Sequence, residues 1–185
     1  MKNIKDVLIE IHKRQMETFC SLEKFRGKGN QVYLSSKSRG LYWIWTNLSD
    51  MQLKKIKTDR DTKQVPISEL VSQRCGLKNI NKIVHNGFRI VYNGIGGYKK
   101  QPSSSYGLRG RILQEFNCND KRTGTLNLSG RDGIIFKEKN WAVSYFDCDD
   151  DDNSEIITGL TYPNHAKMLE MNWRIEYGIP ILTRH

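Results

Sequence analysis

Two arginines behind a basic, serine-rich segment form a pattern that is suited to binding phosphate. Arg109 and Arg111 follow a stretch that contains Lys99, Lys100 and Ser104. A guanidinium group is planar and can bind two phosphate oxygens at once. Two arginines alone would favour a solvated helix face, so the pattern needs support from the rest of the chain.

The glycines of residues 93–97, Asn-Gly-Ile-Gly-Gly, form a second candidate site. A glycine-rich stretch between a strand and a helix is typical of dinucleotide binding. This stretch lacks the GxGxxG spacing, however, and no βαβ unit surrounds it. Glycine also permits close approach of the backbone to a ligand or to another strand. A DNA phosphate beside Gly94 and Gly96 would use that approach.

Residue types that often bind metals are present without the spacing that metal sites need. The histidines and cysteines are scattered, with no HxxxH, CxxC or CxxH pair, which argues against zinc. The aspartates at 149–152 lack the ligand spacing and the closing glutamate of an EF-hand loop. Because blocks of like charge stay exposed, we expect a solvated loop there.

The overall charge favours a polyanionic partner. The 185-residue chain has 30 Lys and Arg against 20 Asp and Glu, a formal net charge of +10, and basic side chains on phosphates release condensed counterions. The length and the 37% hydrophobic content fit one globular domain with a core. No run approaches the ~20 apolar residues of a membrane span, and the N-terminus lacks the apolar stretch of a signal peptide, so the expected location is cytoplasmic.

Periodicity and turn signals predict the elements that would position these residues. Helices are expected at 3–25, 68–74, 105–117 and 165–177, and strands at 31–34, 41–46, 82–85, 88–92 and 141–146. Segments 48–64 and 147–152 are expected to be surface loops. The clearest signal is Asn86-Gly87, because Asn-Gly tolerates the positive φ of a type I′ hairpin turn. This order predicts an α+β fold, with a small central antiparallel or mixed sheet flanked by helices in α/β/α layers.

Three short motifs, taken in order, resemble those of the GIY-YIG nucleases. Residues 40–42, Gly-Leu-Tyr, and 92–94, Tyr-Asn-Gly, are similar to the two triplets that name the family. Residues 108–116 resemble the family's first helix, in which a leucine precedes the catalytic arginine by three positions. The resemblance predicts a nuclease core at 39–185, with an N-terminal helical extension at 1–38 and an insertion at about 48–81.

The resemblance implies a role for each matching side chain. Tyr42 would position or deprotonate the attacking water, and Tyr92 would orient the phosphate or the water. Arg111 would be the catalytic arginine, with Arg109 as a nearby phosphate contact or as the alternative catalytic arginine. Glu170, at the opening of the last helix, would bind Mg²⁺, for which Mn²⁺ can substitute. Such a cation keeps several waters, so one carboxylate can suffice.

The sequence also departs from the family's pattern. Asn93 replaces the isoleucine of the second triplet, Glu115 stands where the family has histidine or tyrosine, and Thr183 stands where it has asparagine. Glu176 is the alternative metal ligand. Glu170 could equally be a first-turn residue that the helix macrodipole favours.

The expected function is hydrolysis of double-stranded DNA by a Mg²⁺-dependent, sequence-specific restriction-type endonuclease. A repair or mobile-element nuclease is an alternative within the family. A non-catalytic nucleic-acid-binding module would bind DNA without cleaving it, and a protein with incidental charge would bind its partner with salt-insensitive affinity. Cutting both strands with one site per chain suggests a homodimer or two sequential nicks.

Overall fold

The computed structural model describes residues 3–27, 34, 38–57, 63–97, 107–117, 124–131, 136–157 and 164–184, with the backbone alone at 164 and 165. The helices are α1 Ile4–Glu17, α2 Leu22–Arg26, α3 Asp50–Leu53, α4 Ile67–Arg74, α5 Leu108–Asn117, α6 Asp151–Ile156 and α7 Asn164–Tyr177. The strands are β1 Cys20–Ser21, β2 Gly40–Thr46, β3 Val84–His85, β4 Phe88–Gly96 and β5 Trp141–Asp147. Short 3₁₀ turns lie at Leu128–Gly130 and Glu138–Asn140.

In the described part of the chain, five strands form one antiparallel sheet in the order β1-β5-β2-β4-β3. The central strand is β2, and all seven of its residues are buried. Successive side chains of a strand point to opposite faces of the sheet. Accordingly, Tyr42 and Ile44 belong to one core cluster, and Leu41, Trp43 and Trp45 belong to the other.

Helices cover both faces of this sheet. On the face of Tyr42, α5 contributes Leu108 and Ile112 to the core. On the opposite face, α1 and α7 contribute an apolar layer that includes Ile11 and Trp173. The structure thus confirms the predicted α+β fold, with a central sheet flanked by helices. No helix among the described residues is long and apolar enough to cross a membrane.

The hairpin predicted at Asn86-Gly87 is confirmed. These residues have φ values of 49° and 78°, the positive values that a type I′ turn requires. The strand β3 pairs with the first two residues of β4, so the outer edge of β4 beyond them is available to other partners. The Leu182 N–H donates to the Val91 carbonyl at that edge, at 2.8 Å.

The single helix predicted at 3–25 is wrong, because a short strand divides the segment. After α1, the Thr18 hydroxyl donates to the Tyr145 carbonyl at 2.6 Å. The strand β1 then pairs with β5, and the Ser21 side chain caps α2. Backbone pairing with the edge of β5 satisfies polar groups that a straight helix would leave exposed on that edge. The described part of the N-terminal segment is therefore built into the sheet.

Two segments predicted as surface loops are partly buried or helical. In 48–64, Leu53 and Ile56 are fully buried. In 147–152, the Asp150 carboxylate accepts from backbone N–H groups and caps α6. Negative charge is favourable at a helix N-terminus, so the acidic run begins a helix. The strand predicted at 31–34 lies outside the described residues except for position 34, which is not in a strand.

Candidate functional site

A cleft of about 510 Å³ lies where the outer edge of β4 meets α5 and α7. The four residues predicted to act on a phosphate, Tyr42, Tyr92, Arg111 and Glu170, all line it. The other lining residues are Asn93, Gly94, Ile95, Gly124, Lys167, Arg174, Thr183 and Arg184. The fold thus joins side chains from the central strand, its neighbour and two helices on opposite faces of the sheet.

A buried carboxylate connects the α5 wall of the cleft to the sheet. The Tyr42 hydroxyl donates to Glu115 Oε1 at 2.7 Å, and the Leu126 backbone N–H donates to Glu115 Oε2 at 2.9 Å. Arg111 Nη2 lies 3.5 Å from the same Oε1, one helical turn before Glu115. Glu115 itself has no exposed surface. Both carboxylate oxygens therefore accept hydrogen bonds inside the protein.

Burial changes the acidity of these groups. Burial raises the pKa of Glu115, although Arg111 and the hydrogen bond from Tyr42 lower it in part. The pKa of Tyr42 is raised well above its ordinary value by burial and by the neighbouring Glu115 carboxylate. Burial likewise raises the pKa of Tyr92. Both phenols are therefore protonated at neutral pH, and a phenolate at Tyr42 is not the resting state of the site.

The two tyrosines stand side by side in the cleft. Their ring centroids are 6.3 Å apart with an interplanar angle of 40°. Residue 42 pairs with Gly94 across the two strands. A Cβ at Gly94 would lie 2.6 Å from the Tyr42 ring carbon Cζ, so only glycine allows this ring to cross the neighbouring strand.

Gly96, the other glycine predicted to approach a DNA phosphate, allows close packing against Leu108. A Cβ at Gly96 would lie 2.8 Å from the Cα of Leu108. The close backbone approach that we expected for a DNA phosphate is thus used by Leu108 at Gly96 and by the Tyr42 ring at Gly94. Gly94 still lines the cleft.

A chain of polar contacts holds the α7 wall. Arg174 Nη2 donates to Glu170 Oε1 at 2.6 Å, and Arg174 Nε donates to Asn93 Oδ1 at 3.1 Å. The Thr183 hydroxyl also donates to Asn93 Oδ1, at 3.1 Å. Burial raises the pKa of Glu170, while Arg174 and Lys167 lower it in part. Glu170 is therefore fixed at the rim of the cleft by groups from α7, β4 and the C-terminal segment.

The predicted position of Glu170 within its helix is wrong. The helix α7 begins at Asn164, so Glu170 lies near its middle and does not open it. The alternative that the macrodipole favours this carboxylate is also wrong, because the dipole effect falls off within the first turn. Glu176, the alternative metal ligand, is exposed and is not a lining residue of the cleft.

The predicted DNA contacts have different positions. The guanidinium of Arg109 lies over the Phe25 ring, 4.9 Å from its centroid, whereas Arg111 lines the cleft. Of the two arginines, geometry therefore places Arg111 beside the phenols. Lys99, Lys100 and Ser104 lie outside the described residues.

Several lining residues were missed in the sequence. Lys167, Arg174 and Arg184 add positive charge to the cleft. The i, i+4 spacing of Glu170 and Arg174 indicates an ion pair on one helix face, and this signal could have identified Arg174. Lys167 lies three residues before Glu170, so helical spacing could have identified it as well, whereas nothing local in the sequence indicates that Arg184 would reach the same space.

The acidic residues do not assemble into a metal cage. Among the described residues, no group of three His, Cys, Asp or Glu side chains is placed to hold an ion. In the acidic run, Asp149 pairs with Arg39. Any metal at the cleft would therefore depend on Glu170 alone among the carboxylates that line it.

No family model, no curated protein and no solved structure matches this chain. The geometry of the cleft is therefore the basis on which a function can be assigned.

Proposed function

We propose that this chain is a Mg²⁺-dependent endonuclease that hydrolyses phosphodiester bonds in DNA. The observation that carries the proposal is the shared cleft, in which Tyr42, Tyr92, Arg111 and Glu170 surround one space. The resemblance to GIY-YIG motifs supports it, because that resemblance selected these four side chains from the sequence alone. Membership of that family, nearest to its stand-alone restriction enzymes, is part of the proposal.

Phosphate binding would rest on the basic side chains of the cleft. Arg111, Lys167 and Arg184 lie on different walls, so together they can contact the oxygens of one phosphate from several directions. Arg111 stands beside both phenols and would stabilise the charge that develops on the non-bridging oxygens. The formal net charge of +10 would attract the rest of the duplex.

Glu170 is the residue that would hold the metal. A cation that takes one carboxylate oxygen and completes its shell with water and substrate oxygens fits this donor set, and Mg²⁺ is such a cation. Mn²⁺ would substitute. Glu170 Oε1 accepts from Arg174, so an ion would bind this carboxylate beside the guanidinium. A bound ion would neutralise charge on the phosphate and acidify a water molecule.

The phenols would orient the reacting groups. Tyr42 is protonated and donates its hydrogen to Glu115, so its oxygen lone pairs can accept a hydrogen bond from a water in the cleft. Tyr92, beside it, can orient the phosphate or the water in the same space. Both tyrosines lie on paired strands of the sheet, which favours precise positioning.

The test is cleavage of supercoiled plasmid DNA with and without Mg²⁺. Wild type should convert the plasmid to nicked and linear forms only when Mg²⁺ or Mn²⁺ is present. Glu170→Gln should lose cleavage and retain DNA binding, whereas the matched change Glu176→Gln, outside the cleft, should behave as wild type. Metal-independent cleavage, or full activity of Glu170→Gln, would refute this assignment.

One contact favours a non-catalytic nucleic-acid-binding module as the second candidate. Arg174 already pairs with the carboxylate of Glu170 at 2.6 Å, and a protein that only binds DNA would have no need to release it. Such a protein would bind duplex DNA with salt-sensitive affinity. It would leave the plasmid uncut whether Mg²⁺, Mn²⁺ or no metal is added.

The proposal extends to a restriction-type enzyme that acts on double-stranded DNA in the cytoplasm. One cleft per chain cuts one strand at a time, so a double-strand break requires a homodimer or two successive nicks. Light scattering of the protein on a short duplex, together with the ratio of nicked to linear plasmid over time, separates these routes.

A further inference from the structure

Tyr42 lies between the cleft and a carboxylate that the cleft does not reach. Tyr42 lines the cleft, and its hydroxyl donates to Glu115 Oε1, 2.7 Å away. Glu115 is fully buried behind it and is not itself a lining residue. A proton that passes from the cleft through the Tyr42 hydroxyl would therefore reach Glu115.

We propose that Glu115 is the acceptor for the proton that the attacking water loses, and that Tyr42 relays this proton to it. The inference rests on the nuclease function proposed above and deepens it by assigning a role to the carboxylate that stands where the resembled family has histidine or tyrosine.

The relay balances in atoms and charge. The water transfers a proton to the Tyr42 oxygen while Tyr42 transfers its own hydroxyl proton to Glu115 Oε1. The water oxygen forms a bond to phosphorus, and the bond from phosphorus to the leaving oxygen breaks. Tyr42 is neutral before and after the step, Glu115 changes from carboxylate to carboxylic acid, and the leaving oxygen takes a proton from solvent. Glu115 returns its proton through Tyr42 after product leaves.

The surroundings of Glu115 suit a proton acceptor. Donors from Tyr42 and Leu126 occupy both oxygens, which is the bonding pattern of an ionised carboxylate. The charged group that faces it is Arg111, with Nη2 at 3.5 Å, and the neighbouring Tyr92 lowers the pKa of Glu115 in part. Burial raises the pKa of Glu115, so it takes up a proton more readily than an exposed glutamate. A base works best when its pKa approaches the operating pH.

Glu170 is less suited to this part. Its Oε1 is paired with Arg174 at 2.6 Å, whereas the Tyr42 hydroxyl donates to Glu115. The two carboxylates therefore divide the work: Glu115 takes the proton, and Glu170 holds the cation.

The test compares Glu115→Gln, Tyr42→Phe and the double variant on a short DNA duplex with Mg²⁺. Gln keeps the shape and a hydrogen-bond acceptor but cannot take a proton at neutral pH. Each single variant should lose about 10²–10⁴-fold in turnover, with duplex affinity, measured by anisotropy without metal, within about twofold of wild type. Because both changes interrupt one path, the double variant should lose no more than the worse single variant. Glu176→Gln is the matched control and should retain full turnover.

The pH profile separates proton transfer from a merely structural role. Wild-type turnover should rise with pH as Glu115 ionises and then reach a plateau. The residual turnover of Glu115→Gln should instead keep rising, about tenfold per pH unit, as hydroxide replaces the missing acceptor. Multiplying losses in the double variant, or a Glu115→Gln profile of wild-type shape, would overturn the relay.

The outcomes also separate this inference from the nuclease proposal. A wild type that cleaves nothing in Mg²⁺ or Mn²⁺ refutes both, whereas a cleaving wild type with an active Glu115→Gln variant refutes the relay alone. Circular dichroism checks the fold of each variant. If Glu115→Gln does not fold, the Tyr42→Phe variant and the wild-type pH profile test the relay. Turnover by Tyr42→Phe near the wild-type level would overturn it. A wild-type turnover that does not fall at acidic pH would overturn it as well.

Discussion

The two helices that line the cleft each carry an arginine and a glutamate four residues apart, and the two pairs are built differently. In α5, Arg111 precedes Glu115, their closest atoms are 3.5 Å apart, and the glutamate side chain is completely buried. In α7, Glu170 precedes Arg174, the atoms are 2.6 Å apart, and the glutamate side chain is 11% exposed. The same residue types at the same spacing therefore produce one enclosed carboxylate and one at the rim.

The difference shows that partners, more than residue type, decide what each carboxylate can do. Glu115 has both oxygens bonded to protein donors, so it can exchange a proton with Tyr42 but cannot reach a metal. Glu170 borders the cleft, where water and phosphate oxygens can complete the shell of a cation. Four experiments test this contrast.

The largest effect should come from removing each carboxylate in turn. Glu115→Ala leaves the Tyr42 hydroxyl and the Leu126 N–H buried without their acceptor, and it leaves a cavity. We expect a loss of roughly 3–5 kcal/mol in the free energy of unfolding. Glu170→Ala breaks one helical ion pair at the rim and should cost about 1 kcal/mol. Urea denaturation of both variants measures the difference, and equal losses would contradict the distinct burial of the two groups.

Next in size is the effect of replacing the two arginines. Arg111→Gln removes the guanidinium beside the phenols and should lower turnover by about 10²–10³-fold, the usual cost of one donor to a transition state. Arg174→Gln leaves that donor in place and disturbs the positions of Glu170 and Asn93, so a loss nearer to tenfold is expected. Steady-state cleavage rates decide, with Arg14→Gln on α1 as the control. A greater loss for Arg174→Gln would reverse the roles assigned to the two pairs.

Local signals in the sequence account for β2 and for the hairpin of β3 and β4, but not for the meeting of the two helices. Asn86-Gly87 specifies its hairpin through its own φ values, and the buried run around Tyr42 specifies a strand by composition. Arg111 and Glu170 lie on helices that pack on opposite faces of the sheet, and no local pattern shows that they meet at its edge. Family resemblance supplied that expectation.

The environment of Glu115 could not be predicted from the sequence either. Glutamate is almost never fully buried unless it is paired, so an isolated Glu in a helix indicates a solvated position. Its burial depends on Tyr42 and on the loop at Leu126, which come from other parts of the chain. The contact between Asn93 and Thr183 could not be predicted either. These residues are two separate departures from the family pattern in the sequence, and they share one hydrogen bond of 3.1 Å in the structure.

A smaller change should affect the enclosed pair alone. In Gly94→Ala, the new methyl group would overlap the Tyr42 ring, which must shift away from Glu115. Overpacking of this kind costs about 1–3 kcal/mol, and turnover should fall with it, while the Glu170–Arg174 pair is untouched. Gly124→Ala is the control within the same cleft, because the nearest atom there would be 3.5 Å away. Thermal unfolding and cleavage rates of the two variants show whether the Tyr42 position matters; equal behaviour would contradict the tight contact at Gly94.

The smallest effect concerns the pH dependence of stability. Burial raises the pKa of Glu115 above its ordinary value of 4.5, so the folded chain binds this proton more tightly than the unfolded chain does. The stabilisation that results is fully present below pH 4.5, and it is lost as the pH rises through the raised pKa. Gln cannot ionise, so Glu115→Gln should gain stability relative to wild type over that same rise, whatever its absolute stability. Urea denaturation of both proteins at a series of pH values above 4.5 measures this difference. A difference that is constant with pH would mean that the hydrogen bonds from Tyr42 and Leu126 offset the burial of the carboxylate completely, and Glu115 would then be no better a proton acceptor than a glutamate in water.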